Sequence, residues 1–321
     1  MTVRLLRAAD LALVCPMKEA VEAVAAGFAS LSAGQATVPV RLSVPLKDGV
    51  ALTMPAALDG APSYSVKVVA VAPGNARLGR PTVTATVLLG DAATGALLAI
   101  IDGTALTALR TGAAGGVAAR ELSRRDSARA AVFGAGAQAR AQLLGLRSVR
   151  DITDVCLVTR DPAHAAAFRE WATGESGLAD VAIHPSSARD AVASADVVVT
   201  ATTSRTPVFE GRWLRTGVHV TAVGSFTPET RELDDETLRG ARIVVDQRAA
   251  ALAEAGELRG LSERDVVELG EIVAGRVPGR TSASQRTVFK SVGNAIQDLV
   301  VAARAFERAR ERGLGEEIAF P

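Results

Sequence analysis

Between positions 38 and 103 the chain alternates apolar and polar residues with a period of two. The alternation runs through VPVRLSV (38–44), GVALTMPAAL (49–58), SYSVKVVAVAP (63–73), TVTATVLLG (82–90) and GALLAIIDG (95–103), and it predicts strands with one buried face. Turn pairs punctuate them at Asp48-Gly49, Asp59-Gly60, Pro73-Gly74 and Thr94-Gly95. Ahead of this β-rich stretch, VRLL (3–6) reads as a short strand, and KEAVEAVAAGFASLSAG (18–34) keeps a helical period that Gly34 closes. Behind it a helix begins near Thr104 and carries LTALRTGAAGGVAARELS (106–123), whose small residues permit close packing.

The texture then changes to strands separated by segments of the length a parallel crossover requires. Strands are expected at 129–134, 153–159, 181–184, 195–201, 217–223 and 241–246. From about 281 a long helical pattern follows, VFKSVGNAIQDLVVAARAFERARERG, with apolar positions 288, 292, 296, 299, 300 and 303 and Gly313 as its cap. The predicted fold class is α/β: a Rossmann-type doubly wound parallel sheet over 116–299, and a β-rich α+β domain over 1–115 and 300–321. No internal repeat or low-complexity linker interrupts either.

Composition narrows the function classes. A chain of 321 residues, 48% hydrophobic and 22% charged, can bury two ordinary cores. A net charge of +1 gives no basic face for nucleic acid or an anionic membrane. Arg4, Arg7, Asp10 and Lys18 deny the N-terminus the apolar run of a signal peptide, and no segment suits a bilayer span, so a cytoplasmic protein is expected. Cys15 and Cys156 sit far apart in apolar surroundings, which favours buried reduced thiols over a disulfide. His164, His184 and His219 show no zinc spacing, and no metal is expected. Lysine is scarce: Lys18, Lys47, Lys67 and Lys290 are the four among 36 basic residues. Lys67 lies in an apolar β-rich run, where an inward-facing lysine must find an anion or lose its proton. The alternative is a lysine snorkelling from a strand edge.

Gly134, Gly136 and Ala139 form G-x-G-x-x-A between the strand ARAAVF and the helix AQARAQLLGL. The first glycine allows a tight turn, the second lets backbone approach a pyrophosphate, and the alanine permits close helix–strand packing. Ala137 and Gln138 open the helix, whose first amides and dipole favour an anion. Where an acidic residue would read the adenosine ribose of NAD(H), the chain has Thr159 and Arg160. A hydroxyl plus a guanidinium suits a 2′-phosphate, so NADP(H) is preferred, with NAD(H) possible and a solvated Arg160 the alternative. The strand ADVVVTATTS ends in Thr202, Thr203 and Ser204, and VHVTAVGS ends in Gly224 and Ser225; ligand is expected over this edge.

Taken together, LTMPA (52–56), VKVVAVAPGN (66–75), TALRTGAA (107–114), GAGAQA (134–139), HVTAVGS with REL (231–233) and TVFKSVGNAIQDL (287–299) give the chain its resemblance to the ornithine cyclodeaminase/mu-crystallin family. The resemblance spans nearly the whole length. It implies an NAD(P)-dependent enzyme handling amino or imino acids, a homodimer built through the β-rich domain. It also implies that Arg41, Lys67 and Arg110 face the substrate, with Thr82 near the ligand and Met54 on the pocket wall. The three cations would clamp one carboxylate beside the nicotinamide. Ser291, Val292 and Gly293 resemble the segment that returns to the nicotinamide end; Lys290 is either a participant or a helix-surface residue, and Asp298 a capping or pairing residue. One departure is informative. Phe226 stands where cyclodeaminases carry an aspartate that handles protons, and a phenyl ring cannot do so. Glu229 and Glu232 are nearby candidates for a displaced carboxylate.

The expectation is therefore a reductase of small ketimine acids such as Δ1-pyrroline-2-carboxylate or Δ1-piperideine-2-carboxylate, with Lys67 or a bound water protonating the imine. Ornithine cyclodeaminase, an alanine-type dehydrogenase and a non-catalytic crystallin-like binding protein are the alternatives.

Overall fold

The computed structural model describes residues 2–319 and divides into two compact units, 1–110 with 294–321 and 111–293. The first unit opens with β1 (Thr2–Leu6), α1 (Ala8–Val14) and α2 (Met17–Ser32). There follow β2 (Ala36–Thr37), β3 (Leu42–Leu46), β4 (Gly49–Leu58), β5 (Ser63–Val71), β6 (Val83–Asp91) and β7 (Leu97–Asp102). Helix α3 (Gly103–Leu122) begins in this unit and continues into the second.

The second unit alternates β8 (Arg129–Phe133), α4 (Ala137–Arg147), β9 (Asp154–Val158), α5 (Pro162–Gly174), β10 (Ala182–Pro185), α6 (Ala188–Ser194) and β11 (Val197–Thr200). It continues with β12 (His219–Ala222), α7 (Asp235–Leu238), β13 (Arg242–Val245), α8 (Arg248–Glu254), β14 (Val266–Glu268), α9 (Leu269–Val273) and β15 (Thr287–Lys290). The chain then returns to the first unit as α10 (Ala295–Arg312) and β16 (Glu316–Ala319).

In the first unit the strand order is β16-β1-β7-β6-β5-β4-β2, with β3 also on β4. All neighbours run antiparallel except β1 and β7. The period-two pattern works as read: on β5, Ser63, Ser65, Lys67 and Val69 point to the buried face. That face is covered by α2 and α10, which pack on each other and, through α10, on β4, β5 and β6. The opposite face carries a groove of about 560 Å³ lined by residues including Val68, Ala70, Thr84, Thr86 and Ile100.

In the second unit eight parallel strands take the order β10-β9-β8-β11-β12-β15-β13-β14. The order turns around between β8 and β11, which makes that gap the switch point where a doubly wound sheet opens a crevice at its carboxyl edge. Two apolar layers flank the sheet, one through Val132, Leu143, Leu157 and Phe168, the other through Phe133, Val198, Phe209 and Val220.

Two readings of the sequence are corrected. The helical pattern starting near 281 is two elements: 287–290 is β15, inserted between β12 and β13, and the helix starts only at Ala295. A strand buried on both faces shows no alternation, so its apolar run joined the helix behind it. Gly293 at φ +83° and the cap Asn294, whose side chain accepts from Ile296 N, make the break. The second boundary also falls earlier than 300, because α10 lies as one rod against α2 and the sheet. Gly313 does cap α10, left-handed at φ 64°.

Candidate active site

Lys67 sits in the middle of β5, directly across the ladder from Met54 on β4, and is 1% exposed. It finds its anion on α10: Nζ lies 2.7 Å from Asp298 Oδ2. The other oxygen of Asp298 accepts from Arg110 Nε at 3.0 Å, and Arg110 Nη1 donates to Gln297 Oε1 at 2.6 Å. All four side chains are buried. Asp298 is the one carboxylate in ion-pairing range of Lys67 and Arg110 among the described residues, so two buried cations face one anion. Burial first, then the Arg110 charge, push the Lys67 ammonium down from 10.5 to about 8; Asp298 opposes the shift and Arg41 adds to it. Gln297 Nε2 is a buried donor without a partner among the described residues, its orientation fixed by the bond that Oε1 accepts. An unbalanced positive charge and an unanswered donor together describe a receptor for an anion.

Arg41, just before β3, is close enough for its charge to act on Lys67. Thr82 is elsewhere. It is exposed at the loop end of the β5–β6 hairpin, where its carbonyl accepts from Ala72 N at 2.8 Å. The register puts it more than about 13 Å along the ladder from the Lys67 pair. Gln297 and the bridging role of Asp298 were missed in the sequence. The available signal was a Gln-Asp pair inside the apolar stripe of α10.

The second unit gathers the glycine turn and the strand-end loops along one sheet edge. Gly134 takes a positive φ of 102°, and a Cβ there would collide with Ala201 O, so glycine lets the loops after β8 and β11 touch across the switch point. Gly136 is the N-cap of α4 and no side chain caps that helix, leaving its first amides to a ligand. A Cβ on Gly136 would meet nothing within 4 Å, and Gln138 Oε1 is buried without a partner among the described residues. A capless helix start and open space above it fit a dinucleotide diphosphate, whereas the orphaned Gln138 oxygen, an acceptor, suits a hydroxyl and not a phosphate. Thr159 and the exposed Arg160 follow β9 directly, and the next residue, Asp161, spends its carboxylate capping α5 through Ala163 N at 2.8 Å.

Glu232 organises two of these loops. Fully buried, its carboxylate accepts from Thr200 Oγ1 (2.9 Å), Thr202 N (2.7 Å), Thr202 Oγ1 (2.8 Å) and Gly224 N (2.7 Å). All its lone pairs are committed, so it is a brace and not a displaced proton carrier. Thr203 is exposed beside it, and Ser204 N donates to Thr202 Oγ1 at 3.1 Å. Ser225 bonds to Glu257, while Phe226 next to it is 39% exposed. Lys290 is neither helical nor at the surface. On β15 and fully buried, its Nζ donates to Ser225 O at 2.6 Å and Ser225 Oγ at 2.8 Å, with Glu257 Oε1 at 3.6 Å. Ser291 Oγ, Val292 N and Gly293 N all donate to Asp246 Oδ2, at 2.8, 3.1 and 2.8 Å. Among the described residues no cluster of His, Cys, Asp and Glu could hold a metal, and no helix is long and apolar enough to cross a membrane.

The glycine turn at the switch point of the second unit and the buried cationic receptor of the first define a dinucleotide-dependent class of protein acting on small anions. The chain belongs to the ornithine cyclodeaminase/mu-crystallin family, whose profile matches residues 3–313. It is 38% identical to a Δ1-pyrroline-2-carboxylate reductase of Bacillus cereus over 314 residues, 95% of this chain and 96% of that one. The solved structure of Thermococcus litoralis Δ1-pyrroline-2-carboxylate reductase, in complex with NADH and L-proline, matches with a TM-score of 0.93 and 40% identity over 98% of this chain and 100% of that one. An archaeal alanine dehydrogenase dimer with bound NAD matches with a TM-score of 0.92 and 35% identity over the full length of both.

Proposed function

We propose that this chain is an NAD(P)H-dependent reductase of small cyclic imino acids, Δ1-pyrroline-2-carboxylate or Δ1-piperideine-2-carboxylate. The observation that carries the reading is the buried Lys67–Asp298–Arg110 cluster, whose net positive charge calls for an anionic ligand. Arg110 and Arg41 orient the substrate carboxylate, and the Gln297 amide gains the acceptor it lacks. Lys67, its proton loosened to about 8, donates that proton to the imine nitrogen, and Asp298 holds the ammonium in place until it leaves. A protonated C=N is a far better hydride acceptor than a neutral one, so proton delivery and positioning are most of the catalysis required. The reduced nicotinamide, when bound, supplies the hydride. Similarity to a reductase solved in complex with NADH and L-proline supports the same chemistry here.

The dinucleotide is assigned to the backbone of Gly134, Gly136, Ala137 and Gln138 for the diphosphate, and to Thr159 and Arg160 for the adenosine ribose. Thr202, Thr203, Gly224, Ser225, Ser291, Val292 and Gly293 are assigned to the remaining loops. NADP(H) is the preferred form, supported by the exposed Arg160 and by the engagement of Asp161 in capping. We assign a homodimer, supported by the groove on the outer face of the first unit's sheet and by the dimer of the alanine dehydrogenase relative.

Turnover of both imino acids with either reduced cofactor, with ammonia release from ornithine as the control, tests the reading. Consumption of the reduced cofactor with L-proline or L-pipecolate as product is expected. Ammonia from ornithine without net cofactor consumption would move the protein to the cyclodeaminases, which Phe226 disfavours. A second reading, alanine-type dehydrogenation, is favoured by the full-length match to the alanine dehydrogenase. It would show as net NAD(P)+ reduction with alanine.

A further inference from the structure

The second unit holds a group of reactive side chains that the cofactor edge does not use. Cys156 and Asp154 lie two apart on β9 and point to one face of the sheet, and His184, on the edge strand β10, is the register partner of Cys156. The imidazole stands between them: Cys156 Sγ is 3.4 Å from His184 Nε2, and His184 Nδ1 is 3.5 Å from Asp154 Oδ1. That Asp154 oxygen is buried and has no hydrogen-bond partner among the described residues, while the other oxygen is 3.6 Å from Arg129 Nε on β8. A carboxylate oxygen facing Nδ1 favours the tautomer with its proton there, which leaves Nε2 as an acceptor toward the sulfur. The His184 side chain is 52% exposed, so small reagents can reach the group. The sequence suggested a buried reduced thiol here; Cys156 is only half-buried and is in contact with a base.

We propose that Cys156 is a thiol-modification site for low-molecular-weight disulfides, with His184 as its proton acceptor and Asp154 orienting the imidazole. The Cys156 sulfur attacks one sulfur of the disulfide and its proton passes to His184 Nε2. The new bond joins Cys156 to half of the reagent, the reagent's S–S bond breaks, and its other half departs as a thiolate. Cys156 is oxidised to a mixed disulfide, one half of the reagent is reduced, and a thiol reductant reverses the exchange. The chain supplies its own control: Cys15 is buried in the first unit and its thiol is pushed up to about 12.

The test is reaction of the native full-length protein with dithiobis-nitrobenzoate at neutral pH, followed by release of the coloured thiolate. One thiol per chain should react quickly and the second only after denaturation. Cys156→Ser should abolish the fast phase and Cys15→Ser should keep it. His184→Asn, with an unchanged melting temperature, should slow it at least about tenfold. A fast phase that survives Cys156→Ser, or a His184→Asn protein reacting at the wild-type rate, would overturn the proposal. Should His184→Asn fold poorly, peptide mapping of the wild type after exposure to glutathione disulfide decides instead: adduct on Cys156 supports the site, and an unmodified Cys156 refutes it.

Discussion

Replacing Lys67 by methionine keeps a long unbranched side chain on the inner face of β5 and removes only the ammonium. The structure predicts opposite effects on stability and on turnover. Folding lowers the Lys67 pKa from 10.5 to about 8; at about 1.4 kcal/mol per unit, holding the charged form in this cluster costs about 3 kcal/mol at neutral pH. Methionine escapes that cost, and Asp298 keeps Arg110 at 3.0 Å, so its charge is not stranded. The variant should match the wild type in stability at pH 7 or exceed it by up to about 3 kcal/mol. The sign of the pH dependence follows. Between about 8 and 10.5 the unfolded chain still holds a proton that the folded chain has released, so this group makes wild-type stability rise with pH across that window; below it, the full penalty applies. Denaturant titrations at pH 7 and at about pH 10 should show the rise in the wild type and its loss in Lys67→Met. Turnover moves the other way: losing a positioned proton donor costs about 10²- to 10⁴-fold in kcat, or about 3–5 kcal/mol of barrier, read from absorbance of the reduced cofactor. Dinucleotide affinity should change little. Wild-type turnover in the variant would exclude Lys67 as the proton donor, and a marked loss of stability at neutral pH would exclude a cost for burying its charge.

Three further predictions concern the second unit. Gly136→Ala places a methyl where the fold has no neighbour within 4 Å, so the melting temperature should hold while dinucleotide affinity, measured by fluorescence titration, drops about tenfold or more if phosphate occupies that space. Arg160→Ala should weaken NADPH binding by about 1.5–3 kcal/mol and leave NADH almost unchanged; equal losses for both would remove the 2′-phosphate role. Glu232→Gln turns one of two fully used acceptor oxygens into a donor facing donors, which should lower stability by about 2–4 kcal/mol in denaturant titration and weaken cofactor binding, whereas a displaced acid catalyst would lose turnover with stability intact.

How much of this was legible in the sequence depended on whether the cause was local. Strands of the second unit such as β8, β9 and β11 announce themselves as short apolar runs between turn residues, and the glycine turn carries its own spacing. β15 did not, because a central strand followed at once by Gly293 and Asn294 reads as the start of α10. Lys67 was marked by its chemistry, a cation in an apolar strand, and its partner lies 231 positions later at Asp298, in a helix whose stripe looked apolar. Glu232 and Glu257 were harder still. A carboxylate that reaches back to brace two loops leaves no periodic trace, and only the folded positions of Thr202, Gly224 and Ser225 show what it does.

Because the chain has four lysines, protein labelled with 13C at the lysine ε-carbons gives four signals that can be followed by NMR as pH is raised. The Lys67 signal should titrate near 8 in the free protein and move to higher pH when pyrrole-2-carboxylate, a ring carboxylate with no basic nitrogen, is added. A Lys67 signal that titrates with the ordinary lysines near about 10.4, unmoved by the ligand, would mean that Lys67 is neither loosened by its surroundings nor part of an anion receptor.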